Sequence, residues 1–161
     1  MVRIEPLLSQ DWPAVRDIYE EGIAMGNATF ETQVPEWDIW DANHLLHCRF
    51  VAREEDQLIG WAALSPVSRR AVYAGVAEVS VYVAETARGR GVGKALLQAL
   101  IAAAEEAGIW TLQGSIFPEN IVSLTLHQAC GFRIVGRRER IAQLHGVWRD
   151  TVLVERRSQI T

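Results

Sequence analysis

Residues 78–97 read EVSVYVAETARGRGVGKALL. The first six alternate around valines, which is the pattern of a strand. Val92 opens an Ala- and Leu-rich run to Ala107 that reads as a helix, and Gly108 closes it. Between strand and helix, Gly89, Gly91 and Gly93 fall within five residues, with Arg88, Arg90 and Lys94 among them. Glycines there let the backbone turn tightly and expose consecutive N–H groups. With the positive end of the helix these groups form an anion site, for which a diphosphate is the natural guest. Two better-known phosphate loops fail on spacing. G-x-x-x-x-G-K-[ST] ending at Gly93-Lys94 needs Gly at 88 and Ser or Thr at 95, where this chain has Arg88 and Ala95. G-x-G-x-x-G fails from Gly89 because of Lys94, and from Gly91 because of Leu96. On the loop alone, a glycine-rich turn with a solvated basic cluster remains the alternative.

Upstream, Val2–Leu7 reads as a first strand. Ser9 fits the N-cap of a helix beginning near Asp11, with Trp12, Val15, Ile18, Tyr19 and Ile23 at helical spacing. A polar-aromatic loop, NATFETQVPEW, follows Gly26, and a second helix is expected over about Glu36–His47. Arg49–Arg53 and Leu58–Leu64 read as a hairpin, and Ala77–Val83 as the strand before the glycine loop. Downstream come a strand over Trp110–Phe117, a helix opened by Pro118 and Asn120 and ended by Gly131, and strands over about Phe132–Ile141 and Val147–Glu155. The order predicts a mixed α/β domain whose sheet contains both parallel and antiparallel pairs.

Composition bounds the partners. The chain has 161 residues, close to one domain, and a net charge of −4, which argues against a general nucleic-acid binder. No apolar run approaches the roughly 20 residues that span a bilayer, and the first residues lack the pattern of a signal peptide. Cys48 and Cys130 fit neither a disulfide framework nor a C-x-x-C metal motif. The expectation is one soluble, cytoplasmic domain over residues 1–161, with no metal and no membrane or nucleic-acid partner.

The stretch 78–97 strongly resembles the acetyl-CoA motif of the GNAT superfamily of N-acetyltransferases. NIVSLTLHQACGF, residues 120–132, resembles that family's second cofactor motif, N-x-x-S-x-x-L-[YH]-x-x-x-G-F. The pieces stand in the family's order, and the resemblance spans about Val2 to Glu155. It implies a mixed, splayed central sheet flanked by helices. It also implies that the pantetheine arm of acetyl-CoA pairs with the backbone of Val81, Tyr82 and Val83. The pyrophosphate would rest on Arg88, Gly89, Arg90, Gly91, Val92, Gly93 and Lys94, and Asn120 and Ser123 would touch the pantetheine region. A narrower likeness, to the phosphinothricin and methionine sulfoximine acetyltransferase subgroup, rests on NATFET, on Arg70, Tyr73 and Glu78, and on Gly146, Trp148 and Asp150. It implies a homodimer, for which six tryptophans would supply apolar interface area. The chain departs from that subgroup at Val67 and Ser68, where an aromatic often stands.

Acetyl transfer to an amine needs a base for the ammonium, a donor for the developing oxyanion and a proton for the departing thiolate. The resemblance makes Glu78 the base, directly or through a water; a strand-end charge facing water is the alternative. Asn120, Ser123 and His127 share one helix face. An imidazole at His127 can protonate the thiolate or relay the amine's proton, while a structural histidine is the plainer reading. The oxyanion donor would be a backbone N–H of the Val81–Val83 strand. Phe30, Arg70 and Tyr73 are the candidate acceptor-binding residues, with Glu31 and Arg69 beside them. Arginine forks suit carboxylate or phosphinate, and a solvated pair is the alternative. Trp148 can wall the pocket, fill a core or lie at an interface. No nucleophilic Cys or Ser has a triad-like context, so direct transfer in a ternary complex is expected.

The implied acceptor is a small-molecule amine: phosphinothricin, its arsenic-containing relative, methionine sulfoximine or methionine sulfone. Another small amine, a protein N-terminus, or a non-catalytic acyl-CoA sensor are the alternatives.

Overall fold

The computed structural model describes residues 1–161. Seven strands form one sheet in the order β1-β2-β3-β4-β5-β7-β6. The strands are β1 (Val2–Pro6), β2 (Arg49–Glu54), β3 (Gln57–Pro66), β4 (Val76–Val83), β5 (Thr111–Ile116), β6 (Arg133–Leu144) and β7 (Val147–Arg157). The helices are α1 (Trp12–Met25), α2 (Trp37–Ala42), α3 (Val92–Glu106) and α4 (Ile121–Ala129). Every neighbouring pair is antiparallel except β4–β5. The mixed α/β sheet read from the sequence is the one observed, with strand bounds shifted by one to three residues.

α3 turns Val92, Leu96, Leu97, Leu100 and Ala104 inward, one apolar stripe at helical spacing. It packs on the face of β3 that carries Gly60, where an added Cβ would lie 2.9 Å from Leu96 Cδ1. α1 and α2 cover the opposite face through an aromatic layer. Trp12 meets Trp37 and Trp40 at 5.6 Å between centroids, Trp40 meets Trp61 at 5.5 Å, and Trp61 stacks on Tyr82 at 4.8 Å. Four tryptophans are thereby spent inside the fold, and Trp110 packs against Gly75. Trp148, half-exposed, is the only surface-placed tryptophan, Trp37 and Trp110 being partly buried, so interface area from six tryptophans is not what the fold provides.

Two helix expectations change. Ser9–Asp11 is a 3-10 turn, and α1 starts at Trp12 after it. Asp11, not Ser9, organises the turn: its Oδ2 accepts from Leu8 N at 2.9 Å, and it pairs with Arg53. α2 stops at Ala42 rather than near His47 because Arg49 claims its end. The Arg49 guanidinium donates to Leu45 O (2.8 Å), His44 O (3.1 Å) and Asp41 Oδ1 (2.6 Å), while Leu45 N donates to Leu64 O (2.8 Å). These bonds turn the chain toward β2 before another helical turn can form.

β6 and β7 are joined by His145 and Gly146, both at positive φ (50° and 79°), which suits the right-handed twist of a tight hairpin. Asp150 holds the bulged part of β6 by accepting from Arg140 N (2.7 Å) and Arg137 Nε (2.8 Å).

Candidate active site

β4 pairs with β3 along its whole length, from Ala77 to Val83. With β5 it pairs only over Val76–Glu78, against Thr111–Gln113. β5 then continues beside β7, so the two parallel strands part beyond Glu78. That fork leaves one edge of residues 79–83 without a strand partner. The N–H and C=O groups that point to that edge, apart from Val83 O, which accepts from Arg88, are therefore free to pair with an extended ligand, as an added strand would.

One side of the fork opens into a groove of about 470 Å³, lined by Val81–Val83, Gly89, Gly91–Lys94 and the α4 residues Ser123 and Leu126. Gly89 (φ +78°) and Gly91 (φ +81°) are left-handed, and a Cβ built on either meets nothing within 4 Å. The first intrahelical bond of α3 is Ala95 N to Gly91 O at 3.1 Å, so the N–H groups just before it are unclaimed by the helix. Gly93 brings the helix close: a Cβ there would lie 3.3 Å from Leu126 and 3.5 Å from Val83. Of the three expected cations, Arg88 donates to Val83 O (3.3 Å) and Arg90 pairs with Glu54 (3.1 Å). Lys94 is exposed and unpaired beside the helix start. This geometry fits a pyrophosphate with a long amide-bearing arm.

The other side holds a cavity of about 240 Å³ lined by both Glu78 and His127. Glu78 Oε1 accepts from Gln113 Nε2 at 3.3 Å. His127 is buried, and its Nδ1–H donates to Ser123 O at 2.7 Å. Burial pushes the imidazole pKa below its ordinary value, against the opposing pull of that bond. The neutral ring therefore keeps a lone pair on Nε2, which faces Gly114; a Cβ there would lie 3.7 Å away. Tyr82 is held protonated, since burial raises its phenol far above the usual range. Glu78 is the only formally charged residue of the lining. Ala28, Val81, Tyr82, Asn120 and Ser123 border both spaces, so groove and cavity meet at the middle of β4.

Phe30 lies on the cavity wall, edge-on to Phe117 at 4.8 Å. Asn120 caps α4 by accepting from Ser123 N (3.2 Å) and ties the α1–α2 loop by donating to Asn27 O (3.0 Å). Arg70 and Tyr73 stand apart: they stack on each other at 5.5 Å, exposed, and line neither space. Trp148 is outside as well, beside Arg140 on the β6–β7 hairpin. Sequence reasoning missed Gln113, Phe117 and Arg149. Gln113 lies directly opposite Glu78 in register, which only the pairing of β4 with β5 reveals. Arg149 sits inside HGVWRD, but its partners are more than a hundred residues away in sequence.

No helix is long and apolar enough to cross a membrane. No group of three or more His, Cys, Asp or Glu side chains is placed to hold a metal ion.

Comparison with known proteins agrees with this geometry. Residues 6–132 match the acetyltransferase (GNAT) family. A phosphinothricin N-acetyltransferase of Alcaligenes faecalis is 35% identical over 157 residues, covering 91% of this chain and 77% of that protein. An L-methionine sulfoximine/L-methionine sulfone acetyltransferase of Pseudomonas aeruginosa is 30% identical over 153 residues, covering 90% and 88%. The crystal structure of a GNAT-superfamily phosphinothricin acetyltransferase of Sinorhizobium meliloti in complex with AcCoA superposes with a TM-score of 0.87 at 28% identity, covering 97% of this chain and 88% of that one. With the forked sheet and glycine loop, these matches establish that the chain belongs to the acetyltransferase (GNAT) family.

Proposed function

We propose that this acetyltransferase moves the acetyl group of acetyl-CoA to the α-amine of a small glutamate- or methionine-like analogue, such as phosphinothricin or methionine sulfoximine. The observation that carries the reading is the meeting of groove and cavity at Val81 and Tyr82, with Glu78 and His127 on the acceptor side. The names of the relatives support the choice of acceptor.

In this reading the cofactor's diphosphate lies on the N–H groups of Gly89–Lys94 and its arm runs along Val81–Val83. The acceptor enters as an ammonium, which has no lone pair. Glu78 accepts its proton, and the freed amine attacks the thioester carbon. A backbone N–H of the open β4 edge stabilises the oxyanion. The tetrahedral carbon then expels the thiolate. Neutral His127, with Nε2 free, serves as a proton acceptor on the amine rather than as the thiolate's donor. Arg70 and Tyr73, the expected acceptor-binding pair, line neither space and have no role in this reading. Free Cys48 and Cys130 suit a reducing, cytoplasmic setting. A homodimer belongs to the same proposal, with the exposed Ile134, Val135, Val147 and Trp148 of the β6–β7 hairpin as its interface.

One observation favours a second reading. The cavity lining has a carboxylate and no cationic side chain, which suits an amine that bears no acid group, such as a polyamine. Thiol release from acetyl-CoA, measured with each candidate amine, separates the two. The proposal expects phosphinothricin or methionine sulfoximine to be turned over with a higher kcat/KM than spermidine or an alanyl peptide. Preference for spermidine upholds the second reading, and no thiol release with any amine overturns both.

A further inference from the structure

The acceptor cavity has a roof that no strand pairing holds. Between α1 and α2 the chain runs Gly26-Asn27-Ala28-Thr29-Phe30, and the last four line the cavity. Ala28 also borders the cofactor groove. These residues have no strand pairing, and Gly26 enters at φ +79°. Such a segment takes its position from whatever side chains reach it.

One side chain does most of this. Arg149, on β7, extends its guanidinium beneath the loop with only 16% of the side chain exposed. Nη1 donates to Gly26 O at 3.0 Å, and Nη2 donates to Asn27 Oδ1 at 2.7 Å. Glu119 Oε1 lies 3.7 Å from Nη2. The guanidinium carbon sits 4.0 Å from the centroid of Phe117, whose ring meets Phe30 edge-on. One fork thus grips both the backbone of the loop and the aromatic pair that forms its wall. Arg149 itself does not line the cavity.

We propose that Arg149 is a positioning residue that sets acceptor affinity by pinning the Gly26–Phe30 loop and the Phe30–Phe117 wall over the cavity. The inference rests on the assignment of this cavity to the acceptor. A nearly buried guanidinium is tolerated only because its donors are satisfied, and its bonds to neutral acceptors are charge-assisted and strong. Lysine is a point charge on a flexible stem and cannot hold two acceptors and a ring face at once. Asn120 ties the loop through Asn27 O and Tyr82 through Thr29, so losing Arg149 loosens the roof without detaching it.

The test uses Arg149→Met, which keeps the stem and removes the donors, and Arg149→Lys. Steady-state rates are measured with methionine sulfoximine and acetyl-CoA, alongside amide hydrogen exchange at Gly26, whose N–H donates to Ile23 O at 3.2 Å; the exchange needs no acceptor substrate. In Arg149→Met, loss of the charged hydrogen bonds should raise the acceptor KM about tenfold. The KM for acetyl-CoA should stay within about twofold, since its loop and strand are untouched. Exchange should quicken about tenfold at Gly26 and stay as in wild type in α3. Arg149→Lys should fall between. Should Arg149→Met fail to fold, Asn27→Ala removes one arm of the fork and should move both readouts the same way by less. An unchanged acceptor KM with unchanged loop exchange overturns the proposal, as does a loss shared equally by every kinetic constant. If wild type turns over no amine, the acceptor assignment has failed, and exchange alone decides whether Arg149 holds the loop.

Discussion

Glu78 and Gln113 are the last residues paired across β4 and β5, and Gln113 Nε2 donates to Glu78 Oε1 at 3.3 Å. The candidate base is therefore anchored on a paired strand while its carboxylate borders the gap where pairing ends. Gln113→Glu would place a second carboxylate beside it. Like charge disfavours ionisation, so the acid limb of kcat against pH should move to higher pH, and rate should fall most on the acid side. Gln113→Leu removes the hydrogen bond to the carboxylate, so it should lower kcat several-fold and move the limb the same way by less. Superimposable pH profiles for wild type and Gln113→Glu would remove Glu78 from the rate-limiting proton transfer.

Gly91→Asp should abolish acetyl-CoA binding in calorimetry. Aspartate is strained at φ +81°, and its charge would sit among the N–H groups offered to the diphosphate. Gly91→Ala meets nothing within 4 Å, so it should fold with only the strain of its backbone, about 1–2 kcal/mol. Wild-type affinity in Gly91→Asp would put the diphosphate elsewhere.

Stability should fall on mild acidification. His127 and His44 both have imidazole pKa values depressed by burial. Above the ordinary value of 6.5, folded and unfolded imidazoles are both neutral and add no pH dependence. As pH drops below it, the unfolded chain takes up protons that the fold refuses, and stability is lost until pH passes below the folded pKa. The thermal midpoint should therefore decline between pH 7 and 5.5. His127→Gln should decline less steeply; an equal slope would mean His127 titrates as an exposed imidazole.

Gly75→Ala should destabilise the fold at a distance from the site. A Cβ there would lie 2.0 Å from the Trp110 ring, and Gly75 O accepts from Trp110 N at 2.9 Å and Thr111 N at 3.1 Å. The rigid indole has to move, at a cost of about 1–3 kcal/mol in denaturant unfolding. An unchanged midpoint would mean the ring shifts freely.

The glycine loop of the candidate site was legible in the sequence because its parts are local. Gly89, Gly91 and Gly93 lie within five residues, and their left-handed or close-packed geometry is a property of the loop itself. Asn120 and His127 were legible because residues 120–132 resemble the family's second cofactor motif, and helical spacing then puts them on one face. What could not be read depends on distant partners. α2 ends early because Arg49, in β2, takes the carbonyls of Asp41, His44 and Leu45 at and just beyond its end. Arg149 matters through Gly26, Asn27 and Phe117, and nothing in HGVWRD announces them. Arg70 and Tyr73 follow a motif, yet the β3–β4 loop carries them to an exposed position outside the cavity.

The most direct measurement is the pH dependence of turnover in Glu78→Gln, with methionine sulfoximine as acceptor and acetyl-CoA saturating. The substitution keeps the shape and removes the base. Turnover at pH 7 should fall by about 10²–10⁴, the usual size of general-base catalysis. Calorimetric affinity for acetyl-CoA should be unchanged, because in the proposed binding mode backbone groups of β4 and the glycine loop hold it. The defect should shrink as pH rises and the amine arrives already deprotonated. Wild-type turnover at pH 7, or a loss arising wholly from weakened acetyl-CoA binding, would make Glu78 a structural strand residue and contradict the account.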